Sequence, residues 1–293
     1  MFAKFTKLEE PMKPISTPLK YLMPACRATV LLAFAACAWG GTIYTFEAPT
    51  YTGSMGGVGL NGQDGWFTAT GYGDATVRTY LDTGVPAPTD GGAQFIALLG
   101  PNVQDNHFES FAGASVWTIS FDFFVHSIDT DYQSIGSFFL YTPATGYQLH
   151  AFPRVAPFGT WDAYFDVFDQ AGHKLSGVNP GAGFVGLGMD QWYQEQIVID
   201  TSSNRILSVS LGDPSSPATA ATYDPTGWYL YGGGSAPFSV AGLGVFAYGT
   251  LGFDNISLDP SPAPEPASWA LWLTGAAALC CLGSRRRQRP ARG

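Results

Sequence analysis

VWTISFDFFVHS, residues 116–127, alternates without a break: Trp117, Ile119, Phe121, Phe123 and Val125 fall on one side, and Thr118, Ser120, Asp122, Phe124 and His126 on the other. Successive side chains of an extended chain point to opposite faces, so this period of two reads as a strand with one face in a core and the other mostly in water. WDAYFDVFDQ (161–170) repeats the pattern, with Trp161, Ala163, Phe165 and Val167 opposed to Asp162, Tyr164, Asp166 and Phe168. EQIVID (195–200) and RILSVSL (205–211), joined by Thr201-Ser202-Ser203-Asn204, read as a β-hairpin. Further strands are expected at 42–47, 76–81, 94–99, 137–141, 147–152, 228–231, 243–247 and 251–258.

Gly, Pro, aromatic and β-branched residues dominate these stretches, and no segment between them offers an amphipathic helix. Many short strands joined by Gly/Pro turns predict an all-β fold: an antiparallel two-sheet β-sandwich of the jelly-roll kind over residues 39–259, without internal repeats.

Cys26, Cys37, Cys280 and Cys281 all lie outside that body. A disulfide framework, a thiolate zinc site and a cysteine nucleophile are therefore excluded within it. Its length, roughly 220 residues, suffices to bury a core without such staples. The whole chain has a formal net charge of −9, and the basic residues of the body are only Arg78, Arg154, Lys174 and Arg205. Nucleic acid is not an expected partner of so acidic a domain. The acids are dispersed, which reads as solubility of an extracellular protein, with cation binding as the sharper alternative.

The two ends carry different signals. ATVLLAFAACA (28–38) is an apolar stretch of signal-peptide length, preceded by Lys20 and Arg27 and ending in Ala36-Cys37-Ala38, so residues 1–38 read as a secretory signal cleaved before Trp39. The basic leader is long, which leaves Met12 and Met23 as alternative starts. From Ala267 to Gly283 the chain has no charge and would cover about 25 Å as a helix, enough for a short membrane span. Trp269 and Trp272 stand near its entry, and the basic tail over 285–293 follows, with Arg285, Arg286, Arg287 and Arg289 expected to face the cytoplasm. The expected layout is signal (1–38), sandwich (39–259), proline-rich spacer (260–266), transmembrane helix (267–284) and basic tail. Alternating prolines keep the spacer extended and accessible.

The ordered triplet Pro264-Glu265-Pro266, apolar span and arginine cluster resembles the PEP-CTERM sorting signal of Gram-negative bacteria that make exopolysaccharide. The resemblance implies that exosortase, a membrane-embedded transpeptidase, is a partner that processes the tail near Glu265. It further implies delivery from the inner membrane to the cell envelope or extracellular matrix. A second resemblance rests on YTFEAPTY at Tyr44, GQDGW at Gly62, VWTISFDF at Val116, WYQEQIVID at Trp192 and FDNISL at Phe253. These segments are similar to the concanavalin-like and carbohydrate-binding jelly-roll domains found in PEP-CTERM proteins. In that family an acidic residue on the first strand and one on the last help hold a structural Ca²⁺, which points by resemblance to Glu47 and Asp254, and carboxylate oxygens suit that ion.

Sugar binding needs exposed planar aromatics, for which Tyr164, Phe168, Trp192, Tyr193, Trp228 and Tyr229 are available. Asp162 and Asp166 share a strand face, yet nothing in their spacing singles out an acid with a raised pKa, and the Glu-x-Asp-x-x-Glu pattern of concanavalin-like hydrolases is absent. No Gly-x-Ser-x-Gly places a nucleophilic serine, and His107, His126, His150 and His173 are isolated. Gly57–Gly62 and Gly181–Gly186 match G-x-G-x-x-G without opening a helix, so no dinucleotide site is expected. The sequence thus predicts an exported, membrane-anchored, non-catalytic sandwich with a structural, adhesive or glycan-binding role, exopolysaccharide being the candidate ligand. The alternative is a hydrolase of matrix polysaccharide.

Overall fold

The computed structural model describes residues 41–261, apart from 89–91, 110, 112–113, 128–135, 143–145, 236–240 and 248–249. The expected signal peptide, the Pro264-Glu265-Pro266 triplet, the span at 267–284 and its arginines lie outside the described residues. No helix among the described residues is long and apolar enough to cross a membrane.

The domain is all-β, built from two antiparallel sheets packed as a sandwich. The first sheet has the order β15 (Ala221–Tyr223), β14 (Arg205–Gly212), β13 (Trp192–Asp200), β7 (Val116–Ser127), β17 (Thr250–Ser261), β5 (Gln94–Leu99), β4 (Thr76–Thr79), β2 (Val58–Gly59), with β1 (Thr42–Tyr44) also on β17. The second runs β11 (Lys174–Val178), β10 (Thr160–Phe168), β9 (Gly146–Ala156), β8 (Gly136–Thr142), β16 (Ala241–Ala247), β6 (Val103–Glu109), β3 (Phe67–Thr68), with β12 (Leu187–Gly188) beside β10.

The alternation of β7 and β10 supplies the two inner faces. Trp117, Ile119, Phe121, Phe123 and Val125 are buried, as are Trp161, Ala163, Phe165 and Val167. The sheets meet through these side chains: Phe121 stacks on Phe138 at 4.2 Å between centroids, and Phe123 meets Trp161 edge-on at 5.2 Å. Such aromatic pairs add about 0.5–1.5 kcal/mol each beyond their buried area. The 195–211 hairpin forms as read, extended to Trp192 and Gly212, with Asn204 in the left-handed conformation at its turn.

Five segments depart from the sequence reading. Strand β4 stops at Thr79, and the chain enters a single helical turn, α1 (Tyr80–Thr83), closed by Gly84 at φ 70°. Residues 228–231 form no strand: Tyr229 makes one bridge to Phe168 and one to Arg205. Strands β6 and β11 were not anticipated, because VQDNHFE and KLSGV carry polar residues and glycine where apolar ones would mark a core face. Pro260, expected in the extended spacer, instead belongs to β17, opposite Trp117 of β7.

Candidate functional site

The outer faces of the two sheets differ in how they are covered. On the first sheet α1 brings Tyr80 onto Phe95, stacked at 4.8 Å, and the Trp192 indole N–H donates to the Pro86 carbonyl. With Ala97 and Phe124 these rings make a second buried cluster on the outside of that sheet. Phe124, read as part of a mostly wet face, is buried for this reason.

The second sheet keeps an open aromatic face. The β9–β10 register sets three pairs side by side on it: Arg154 opposite Asp162, Phe152 opposite Tyr164, and His150 opposite Asp166. Their neighbours Leu149 and Ala151 belong to the core, and Pro153 is buried. Pro153 lies beyond Ala151, the last β9 residue paired with β8, where its missing N–H breaks no ladder bond. Two strands away, Gly242 and Gly244 of β16 leave room for rings of β8 to lie across the sheet: a Cβ at either glycine would fall into Tyr141 or Phe139. Phe139 in turn meets Tyr147 edge-on at 5.0 Å, and Tyr147 stacks on His150 at 5.1 Å while remaining 48% exposed.

Between these rings opens a cavity of about 370 Å³, walled by Tyr72, Tyr147, Phe152 and Phe246 and edged by His150, Arg154, Asp166 and Ser176. Planar rings beside a few polar groups are what a sugar-sized ligand requires. His150 is held on both sides: Nε2 is 2.7 Å from the Ser137 hydroxyl, and Nδ1 is 3.7 Å from Asp166. Ser137 is buried, so its hydroxyl orients the ring from beneath. Asp166 also binds Lys174 Nζ at 2.8 Å and accepts the Gly177 N–H at 2.7 Å. Burial works to raise the Asp166 carboxyl, but hydrogen bonds from His150, Lys174 and Gly177 outweigh it and hold the group well below the usual carboxylate range. Arg154 lies over Tyr164 at 4.8 Å and Phe152 at 5.5 Å from the ring centroids.

Of the aromatics named from sequence, Tyr164 alone stands on this face. Phe168, Trp192, Tyr193 and Trp228 are buried, and Tyr229 bridges strand ends. Asp166 reaches the cavity, whereas Asp162 accepts the Gly186 N–H at 2.8 Å. His150, Arg154, Tyr147 and Tyr72 were missed. The signal for two of them was present in QLHAFPR (148–154), where Gln148, His150, Phe152 and Arg154 alternate with Leu149, Ala151 and Pro153. The glycine motifs at 57–62 and 181–186 occupy turns and a short strand, with several glycines at positive φ.

Glu47 and Asp254 each accept hydrogen bonds from their own neighbours. Glu47 Oε1 accepts the Gln94 N–H at 2.8 Å; Asp254 accepts the Tyr80 hydroxyl at 2.6 Å and the Asn255 N–H at 2.8 Å. Burial pushes Asp254 up to about 7; the Tyr80 and Asn255 donors oppose this, and the charges of Asp122 and Glu47 add to it. Among the described residues no group of three or more His, Cys, Asp or Glu is placed to hold a metal ion.

In sequence the chain matches no described protein family and no curated relative. Solved structures of similar fold include the T. cruzi calreticulin globular domain, with 10% identity, TM-score 0.41, and coverage of 69% of this chain and 86% of that one. The exoplasmic/lumenal domain of VIP36 in its Ca²⁺/Man3GlcNAc-bound form has 11% identity, TM-score 0.39, and coverage of 73% and 91%. The alginate lyase from Klebsiella pneumoniae has 11% identity, TM-score 0.35, and coverage of 71% and 87%. At these identities and scores the likeness transfers no ligand, reaction or residue role to this chain. One expectation is corrected: the sequence reading assigned no enzyme activity, but the solved structures found include alginate lyases, so absence of catalysis does not follow from the fold.

Proposed function

We propose that the domain recognises polysaccharide on the outer face of its second sheet, in the cleft beside Tyr147. The observation that carries this reading is the cavity of about 370 Å³ walled by Tyr72, Tyr147, Phe152 and Phe246, on a sheet face that no described segment covers. Sugar rings stack on such surfaces through their C–H faces while hydroxyls reach the polar rim. The full-length chain should be retarded in gels containing an acidic or neutral polysaccharide, and Tyr147→Ala should weaken retardation about tenfold, the loss of one stacking contact. Equal retardation of both proteins would sink the assignment. Shortening of the polymer during the same incubation would make the cleft an active site as well.

Export and sorting form the second part of the reading. The Pro-Glu-Pro triplet, apolar run and arginine cluster in sequence over 264–293 support delivery to the cell envelope through the membrane, with exosortase processing near Glu265. Mass spectrometry of the protein from its native envelope should then give a C-terminus near Glu265; a chain retaining Arg285–Arg289 would leave a simple anchor instead.

A structural Ca²⁺ near Glu47 and Asp254 completes the proposal. Its support is the like-charge pressure of Asp122 and Glu47 on a buried Asp254, which a hard cation would relieve. Calcium should raise the Tm at pH 8 and a chelator should lower it; no change with either rules the ion out.

A further inference from the structure

We infer that the polysaccharide taken by this cleft is acidic, with Arg154 reading a carboxylate on the sugar. The inference rests on the glycan reading above and adds the ligand's charge. Arg78, Arg154, Lys174 and Arg205 are the only Lys or Arg residues between 41 and 261; Arg154 lines this cleft, and Lys174 binds its Asp166. Lys174 is engaged by Asp166. Arg154 is not engaged: among the described residues no carboxylate pairs with it, and its buried Nε has no hydrogen-bond partner. Asp162, directly opposite on β10, is bonded to the Gly186 N–H instead.

The guanidinium is also pre-oriented. Tyr164 and Phe152 support it from the sheet, and Gly177 of β11 lies against its terminal nitrogens, where an added Cβ would come within 3.4 Å of both. A planar fork fixed in this way matches the two oxygens of a carboxylate, and less ordering is lost when it binds than for a mobile lysine. Tyr147, across the same cavity, supplies a stacking surface for the ring that carries the carboxylate. The domain as a whole is strongly acidic, so its long-range field repels polyanions. Selective retention of a polyanion therefore requires a local receptor.

The test compares polygalacturonate with the same polymer after reduction of its carboxyl groups to neutral hydroxymethyls, using the full-length chain in affinity gels. Wild type should be retarded about tenfold more strongly by the acidic polymer, in line with one charge-assisted bidentate contact. Arg154→Gln should abolish the difference between the polymers while keeping retention on the reduced one. Arg154→Lys, which keeps the charge and much of the packing, should recover part of it, and Arg78→Gln should behave as wild type. Equal retention of both polymers by wild type overturns the acidic preference and leaves the glycan reading standing. No retention on either polymer overturns both. An undiminished preference in Arg154→Gln, with its Tm matched to wild type, removes Arg154 as the receptor.

Discussion

Glu195 carries a carboxyl into the sandwich core between Phe121 of β7 and Leu211 of β14, with 4% exposure and no hydrogen-bond partner for Oε1. Burial raises it from an ordinary glutamate to about 8. The folded chain therefore keeps this proton at pH 7, and the unfolded chain releases it near 4.5. Because the native state binds more protons, stability is full below the unfolded value and falls as pH rises through 8. Asp254 and Asp105, raised mainly by burial to about 7 and about 6, act in the same direction at lower pH. Asp166 acts oppositely and loses its contribution only in acid. Glu195→Gln should thus raise Tm at pH 8.5 and change it little at pH 5; parallel Tm profiles across that range would contradict the buried-acid account. The position was legible in the alternation, since Glu195 shares parity with Tyr193, Ile197 and Ile199. Its energetic consequence was not, because nothing in a single sequence says whether a partner meets a buried carboxyl.

Strand β16 sets the relief of the open face. Its inward residues, Leu243 and Val245, belong to the core, while Gly242 and Gly244 give Tyr141 and Phe139 their places. A β-branched side chain at Gly244 would displace Phe139, and with it Tyr147 and the ring of His150. Gly244→Val should destabilise the fold by about 1–3 kcal/mol, the usual range for overpacking, and should also weaken polysaccharide retention. Retention unchanged after that substitution would mean that the aromatic face does not hold the ligand. Elements with clear alternation, β7, β10 and β13, were readable from residues alone, and β14 through its hairpin with β13. Strand β6 was not, because its Asp105 is buried by tertiary bonds to Thr68 and the Ala75 N–H. Nor was α1, where packing of Tyr80 on Phe95 outweighs the local tendency to continue as a strand.

At the scale of the whole molecule, one outer face is covered by α1 and the segment through Pro86, and among the described residues the other carries the cavity proposed to take the ligand. The two-layer architecture could be read from period-two segments and turn residues. The choice of face could not, because it depends on which connection folds back over which sheet. Under the proposed sorting, an export signal at one end and a sorting tail at the other would deliver the proposed glycan-recognising domain to a polysaccharide-rich envelope. Hydrogen–deuterium exchange of the full-length chain with and without polygalacturonate tests the central claim most directly. The account predicts protection concentrated on the strands that line the cleft, β9, β10, β11 and β16, and around Tyr72. Protection on β13 and β14 with none on those strands would place the ligand on the other sheet and contradict it.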